Sequence, residues 1–117
     1  MKILGIALFL LSTTASAQTA GGGFEQQFFL HGNSNDGFGR ALCLLGDLDD
    51  DGVQDFAIGA PDDSSSKFEA GSVNIFSGAT GTLLRSIPGR RATSHFGWSV
   101  ANAGDVDADG VQDLVVG

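Results

Sequence analysis

The chain has no tyrosine, one cysteine, one methionine, one tryptophan and two prolines among 117 residues, and only six lysines and arginines. Each shortage excludes something. A single cysteine, Cys43, cannot close an internal disulfide, so stability must come from packing or from a bound metal, and Cys43 itself reads as a small buried apolar residue. Few basic side chains argue against nucleic acid, whose phosphates need a positive surface. Two histidines without a His-x-x-x-His pair give no basis for a zinc site, and no nucleophile-elbow pattern places Ser, His and Asp in catalytic roles. No long run of helix-period apolar residues is present either.

The one long apolar stretch, Ile3 to Leu11, follows Lys2 and gives way to Ser12, Thr13 and Thr14. That is short of the about 20 residues a membrane-spanning helix needs. With Ala15-Ser16-Ala17 as a small-x-small cleavage pattern, residues 1–17 read as an export signal cut after Ala17, so that Gln18 begins a secreted or extracellular chain, with the periplasm or a cell surface as variants of that destination. Removing it takes away Lys2 alone among charged residues, leaving five basic and fourteen acidic side chains, a net of −9. Such a balance suits cations.

What is abundant is glycine, 18 residues, together with nine phenylalanines and many valines, a composition of short strands joined by tight turns. An internal repeat orders them. Phe38-Gly39 recurs as Phe96-Gly97, Gly46-Asp47 as Gly104-Asp105, Asp49 as Asp107, the run Asp51 to Asp55 as Asp109 to Asp113, and Gly59 as Gly117, always 58 positions apart. Repeats of this length signal stacked supersecondary units. In the first copy the expected strands are Gly39 to Leu45, Phe56 to Gly59, Ser72 to Ser77 and Thr82 to Ile87. Asp47 to Asp55 is a polar loop, Pro61 to Glu69 a polar loop that does not pack, Gly78-Ala79-Thr80-Gly81 a turn, and Pro88-Gly89 a stop. The fold class is therefore all-β: four-stranded antiparallel meanders of β-propeller type, with residues 38–95 one blade and 96–117 the start of a second, incomplete blade of a longer protein. Residues 18–37 are expected to supply a strand, Phe24 to Leu30, that closes the last blade of a ring.

Asp47-x-Asp49-x-Asp51-Gly52-x-x-Asp55 places carboxylates at loop positions 1, 3, 5 and 9. Alternate positions can converge where a loop curls around a point, Gly52 permits the sharp turn, and the carbonyl of Val53 can face inward. Carboxylates held about 4 Å apart repel by roughly 1 kcal/mol per pair in water, and a divalent cation removes that cost. An all-oxygen cage of this kind suits Ca²⁺ better than Mg²⁺, which keeps its waters. The same pattern recurs as Asp105, Asp107, Asp109, Val111 and Asp113, whereas Asp50 becomes Ala108, so Asp50 is not a candidate ligand. An EF-hand would need a bidentate Glu at position 12 and flanking helices; position 12 is Ile58 or Val116, each in an apolar β-type run.

Phe38-Gly39, the Asp47 to Asp55 loop and Gly59-Ala60-Pro61 together resemble the FG-GAP repeat, the blade unit of the integrin α-subunit propeller and of many secreted bacterial proteins. The segment Ser72 to Gly89, with its Gly-Ala-Thr-Gly turn, is more similar to the bacterial members. The resemblance implies a ring of typically seven blades with Ca²⁺ in the loop between the first two strands of several of them. Its ligands would be Asp47, Asp49, Asp51, the Val53 carbonyl and Asp55, then Asp105, Asp107, Asp109, the Val111 carbonyl and Asp113. The function expected is a non-catalytic binding or adhesion scaffold whose partners are the remaining blades of its own chain and an extracellular protein or glycan. The alternatives are the propeller portion of a secreted polysaccharide- or lipid-acting hydrolase or lyase, and a dockerin-like calcium module, which would need helices. Phe38 and Phe96 are expected as core plugs between blades, Trp98 and Arg40 at an equivalent, not necessarily buried position, and Arg90-Arg91 as a solvated turn.

Overall fold

A computed structural model describes residues 29–117. The export signal, its cleavage after Ala17 and most of the expected strand Phe24 to Leu30 lie outside them. The described part is all-β, with six strands and no helix: β1 (Ala41–Leu44), β2 (Phe56–Ala60), β3 (Ser72–Phe76), β4 (Leu83–Pro88), β5 (Val100–Gly104) and β6 (Asp113–Val116). The first four form one antiparallel meander in the order β1-β2-β3-β4, and β5-β6 forms a second, two-stranded antiparallel sheet. Each strand of the first sheet falls within a residue or two of the expectation.

Alternation sorts the side chains of the first sheet onto two faces, because successive residues of a strand point to opposite sides. The register pairs Cys43 with Ala57, Ala57 with Ile75, and Gly59 with Val73, so Cys43, Ala57, Val73 and Ile75 share one face. Ala57, Val73 and Ile75 form the core with Leu45, and onto it pack Cys43, Phe96, and Val100, Leu114 and Val116 of the second sheet. Leu42, Leu44, Phe56 and Ile58 occupy the opposite face. β2, central and short, is buried along its whole length, as an inner strand of a packed blade should be. β4 is an outer, mostly exposed strand.

The two sheets approach closely where the sequence repeats Phe-Gly. A Cβ on Gly59 would lie 2.0 Å from the Gly97 carbonyl oxygen, and one on Gly97 2.4 Å from that of Ser72, so only glycine admits this contact. Within each copy the Phe-Gly glycine also donates to the glycine that closes the second strand: Gly39 N–H to the Gly59 carbonyl and Gly97 N–H to the Gly117 carbonyl, both at 3.0 Å. The two halves of the repeat motif are thus one hydrogen-bonded clasp.

The loop from Pro61 to Glu69 is exposed along Ser64 to Phe68 but is anchored at its ends: Pro61 is fully buried, Gly71 N–H bonds the Asp63 carbonyl at 2.9 Å, and just beyond it Phe96 N–H bonds the Ala70 carbonyl at 3.0 Å, where a parallel bridge joins Gly71 to Phe96. The loop closes on its own serines and on the next repeat, a pairing no local composition announces. Cys43 is half-buried rather than buried, and loss of solvent pushes its thiol up, against a hydrogen bond to the Ala57 backbone. Phe96 plugs the core between sheets as expected, whereas Phe38 meets Phe76 edge-on within its own blade, the ring centroids 6.0 Å apart. Trp98 is half-exposed with the Arg40 guanidinium 3.9 Å over its ring, and Arg90 and Arg91 are exposed.

Candidate metal centre

The acidic loop leaves β1 at Leu45 and returns at Asp55, and its neck is closed by two backbone bonds, Leu45 N–H to the Asp55 carbonyl at 2.7 Å and Asp55 N–H to the Gly46 carbonyl at 3.2 Å. Inside, Asp47 accepts from Asp51 N–H at 3.0 Å and from Gly52 N–H at 2.7 Å, one bond to each carboxylate oxygen. Two residues adopt left-handed backbone, Asp50 (φ 59°) and Gly52 (φ 87°). These turns curl the chain around Asp47 and aim the acidic oxygens inward.

Position 9 is held from two directions. Asp55 is 0 % exposed, and its carboxylate accepts from Leu48 N–H at 2.6 Å and from Gly78 N–H at 3.0 Å. Gly78 belongs to the β3–β4 turn at the same end of the sheet, so Asp55 fastens the loop to that neighbouring turn. Beside it the buried Ser77 hydroxyl donates to Asp51 at 3.2 Å, while the other Asp51 oxygen accepts from Val53 N–H at 2.9 Å. Among the described residues no buried side-chain nitrogen or oxygen lacks a partner.

Asp47, Asp49 and Asp55 each offer an oxygen within 4.8 Å of the others. Oxygens around a Ca²⁺ at about 2.3 to 2.6 Å span up to twice that distance, so the trio fits such a sphere. Asp51 is not part of the trio, its carboxylate being turned to Val53 and Ser77. Val53 lies on the loop with its side chain exposed. Asp49, exposed like Asp47, has its carboxyl pushed up from the ordinary carboxylate value. Desolvation comes first among the causes and the neighbouring Asp51 and Asp55 charges add to it, against hydrogen bonds to Ser77 and to the Asp51 backbone. A proton or a cation relieves the same crowding.

The second loop repeats this geometry between β5 and β6. Asp105 accepts from Asp109 N–H at 3.0 Å and Gly110 N–H at 2.8 Å, Asp109 from Val111 N–H at 2.8 Å, and Asp113 from Val106 N–H at 2.8 Å. Asp107 accepts from Asp109 N–H at 3.1 Å. Ala108 and Gly110 take the same left-handed conformations, φ 60° and 88°. Asp105, Asp107 and Asp113 converge as their counterparts do, with Asp109 again outside the trio and Val111 exposed. The difference is support: Asp113 is only half-buried and has no counterpart of the Gly78 contact among the described residues.

Sequence reasoning missed Ser77 and Gly78 as parts of the site. They stand 26 and 23 residues from the aspartates they hold, and only the meander brings them there. It also missed that position 4 needs left-handed backbone; aspartate at Asp50 is a weak sign of it, and Ala108 gives none. His95, 3.2 Å from Asp62, and the exposed His31 lie outside both clusters. No helix among the described residues is long and apolar enough to cross a membrane.

A four-stranded antiparallel meander packed against a second antiparallel pair of strands, each with an acidic loop between its first two strands, defines blades of β-propeller type. Residues 38–76 match the family model of the FG-GAP repeat. The chain is 38 % identical over 112 residues to integrin alpha-3 of Cricetulus griseus, a match covering 84 % of this chain and 10 % of that protein. To integrin alpha-V of Gallus gallus it is 41 % identical over 90 residues, 68 % of this chain and 8 % of the relative, and to integrin alpha pat-2 of Caenorhabditis briggsae 35 % over 109 residues, 86 % and 9 %. The chain belongs to the FG-GAP repeat proteins and is of integrin-alpha type. It spans about a tenth of the length of the curated relatives it matches.

Proposed function

We propose that the chain is a calcium-binding unit of an extracellular, non-catalytic binding or adhesion scaffold. The observation that carries this reading is the duplicated convergence of Asp47, Asp49 and Asp55 and of Asp105, Asp107 and Asp113, with position 12 of each loop inside a strand. Oxygen-only donors suit Ca²⁺, and the Val53 and Val111 carbonyls and the Asp51 and Asp109 carboxylates are the groups that would add to its ligands. The bound ion supplies charge neutralisation and a fixed loop geometry. The chain's own part is to hold the oxygens: Asp47 by the Asp51 and Gly52 amides, Asp55 by Leu48 and Gly78.

An export signal at residues 1–17 would deliver these loops to millimolar calcium, where sites with dissociation constants of about 10⁻⁴ to 10⁻³ M are occupied. Occupancy stabilises the folded form by RT ln(1 + [Ca²⁺]/Kd), about 1.4 kcal/mol per site at tenfold excess. A rigid blade edge then presents its opposite loops to a protein or glycan partner. Isothermal titration of the chelator-treated chain with CaCl₂ tests the reading: two saturable sites, weaker for MgCl₂, are expected, and the absence of any calcium-specific heat or rise in Tm would refute it.

A further inference from the structure

Charge is distributed unevenly along this acidic chain. Residues 64–104 hold Lys67, Arg85, Arg90 and Arg91, four of its six basic side chains, against one carboxylate of the fourteen, Glu69. The fold gathers three of the four at one place. The β2–β3 and β4–β5 loops leave the same end of the meander. They are tied together there: Ser66 Oγ donates to the Gly89 carbonyl at 3.2 Å, Lys67 Nζ to the Arg90 carbonyl at 2.8 Å, and Thr93 N–H to the Phe68 carbonyl at 2.8 Å. Lys67, Arg90 and Arg91 are all exposed, and Phe68 beside them is 66 % exposed.

Nothing among the described residues neutralises this cluster. The one ion pair there joins His95 to Asp62 at 3.2 Å, and no lysine or arginine is paired with a carboxylate. Asp63, in the same loop as Lys67, accepts instead from Ser65 N–H at 2.8 Å. Residues 1–28 contain a single carboxylate, Glu25. The aspartates of the first metal loop stand at the opposite end of the strands. β2, five residues at about 3.3 Å each, keeps them about 16 Å away, roughly twice the Debye length at physiological ionic strength. Like charges crowded together and left unpaired are relieved by an anion from outside.

The chemistry of the patch narrows that anion. Arg90 and Arg91 each present a planar fork that takes a carboxylate or sulfate through two parallel hydrogen bonds. Lys67 spends one of its three donors on Arg90 and keeps two. The Phe68 ring adds a flat apolar surface, suited to the C–H face of a sugar. Duplex nucleic acid needs a far broader positive surface than a chain of net charge −8 offers. Three cations also fall short of the about four to eight that hold a basic segment to an anionic membrane. We propose that Lys67, Arg90, Arg91 and Phe68 bind a linear acidic polysaccharide, the cations on its anionic groups and Phe68 on a sugar face. This names the class of partner for the scaffold and rests on that reading for its extracellular setting alone, because the patch lies away from the calcium loops and works without the ion.

Isothermal titration of the full chain with carboxymethyl dextran, in EGTA and again in CaCl₂, tests it. Saturable binding is expected in both, weaker at about 0.5 M than at about 0.05 M NaCl, and none to uncharged dextran. Arg90→Gln with Arg91→Gln should weaken it at least about tenfold, whereas Arg40→Gln, the same loss of charge at the guanidinium over Trp98, should leave it unchanged. Phe68→Ala should weaken binding of the polysaccharide but not of poly-L-glutamate. All these side chains are exposed, and an unchanged β-type circular dichroism spectrum confirms folding; Arg91→Gln alone replaces the double variant if that one fails. Absence of binding overturns the proposal, as does an equal loss in Arg40→Gln, or tighter binding to poly-L-glutamate or to anionic vesicles than to the polysaccharide. Calcium sites without polysaccharide binding overturn this proposal alone. Polysaccharide binding in EGTA by a chain with no calcium response supports it and overturns the calcium reading alone.

Discussion

Replacing Asp55 by alanine separates the two roles that the site gives its aspartates. The Asp55 carboxylate is fully buried and is the acceptor for two backbone amides, Leu48 N–H and Gly78 N–H. Alanine leaves both donors without a partner inside the blade, at about 1–3 kcal/mol each, and removes charge-assisted bonds that are stronger than neutral ones. A total of about 3–5 kcal/mol follows, before any metal is added. For a domain of this size 1 kcal/mol moves Tm by about 4–8 °C, so a fall of at least about 12 °C is expected in chelator. Asp49 contributes an oxygen to the same trio from an exposed position and holds no buried backbone amide; its one buried neighbour, Ser77, also bonds Asp51. Asp49→Ala should leave the chelator melt where it was or raise it slightly, since it removes a carboxylate crowded by Asp51 and Asp55, and should abolish the calcium response of the first loop only. Thermal melts of both variants, in EGTA and in 5 mM CaCl₂ chosen as about tenfold over a weak site, make the comparison. If Asp55→Ala melts with the parent in EGTA, or if Asp49→Ala falls as far as Asp55→Ala, the division of labour drawn from the hydrogen bonds is wrong.

Three further outcomes are expected. Ala108 holds left-handed backbone at φ 60°, a conformation that costs a non-glycine residue about 1–2 kcal/mol; Ala108→Gly should recover about 0.5–1 kcal/mol after its own entropy loss, read as a higher Tm. Gly110→Ala, where no atom lies within 4 Å of the added Cβ, should cost only the backbone term of about 1–2 kcal/mol, whereas Gly97→Ala, 2.4 Å from the Ser72 carbonyl, should cost visibly more in the same urea titration. Asp63 is desolvated, yet hydrogen bonds to Ser72 and Ser65 hold its carboxyl below the ordinary 3.8. The unfolded chain binds that proton first, so the stability from this group is present above about pH 4 and lost as pH falls through its folded value, and Asp63→Asn should flatten that acid limb of the melting curve.

How much of this was legible in the chain depends on distance along it. The strands were legible because alternation and turn residues act within a few positions: Gly78 to Gly81 break β3 from β4, and Phe56 to Gly59 read as β2 without help. The loop was legible because its chemistry is periodic, and because a second copy kept Asp47, Asp49, Asp51 and Asp55 while releasing Asp50. Convergence came out narrower than alternation implied, since Asp51 is drawn to Val53 N–H and to Ser77. What was not legible is what the meander joins from afar: Gly78 under Asp55, Ser77 beside Asp51, and Ala70 against Phe96.

The same distinction explains the Phe-Gly and Gly-Ala-Pro ends of the repeat. Read locally, Gly39 and Gly59 are two small residues twenty positions apart. In the folded blade the first donates to the carbonyl of the second, and Gly59 lies against Gly97 of the following sheet, so that closure of one blade and docking of the next share one glycine. A side chain at Gly59 would therefore disturb both events at once, while the acidic loop, at the other end of β2, could still bind its ion. The acidic loop and the blade-packing glycines are in this way mechanically adjacent but chemically separable. The aspartates brace β1, β2 and the β3–β4 turn within a blade, and the glycines let that braced blade be stacked.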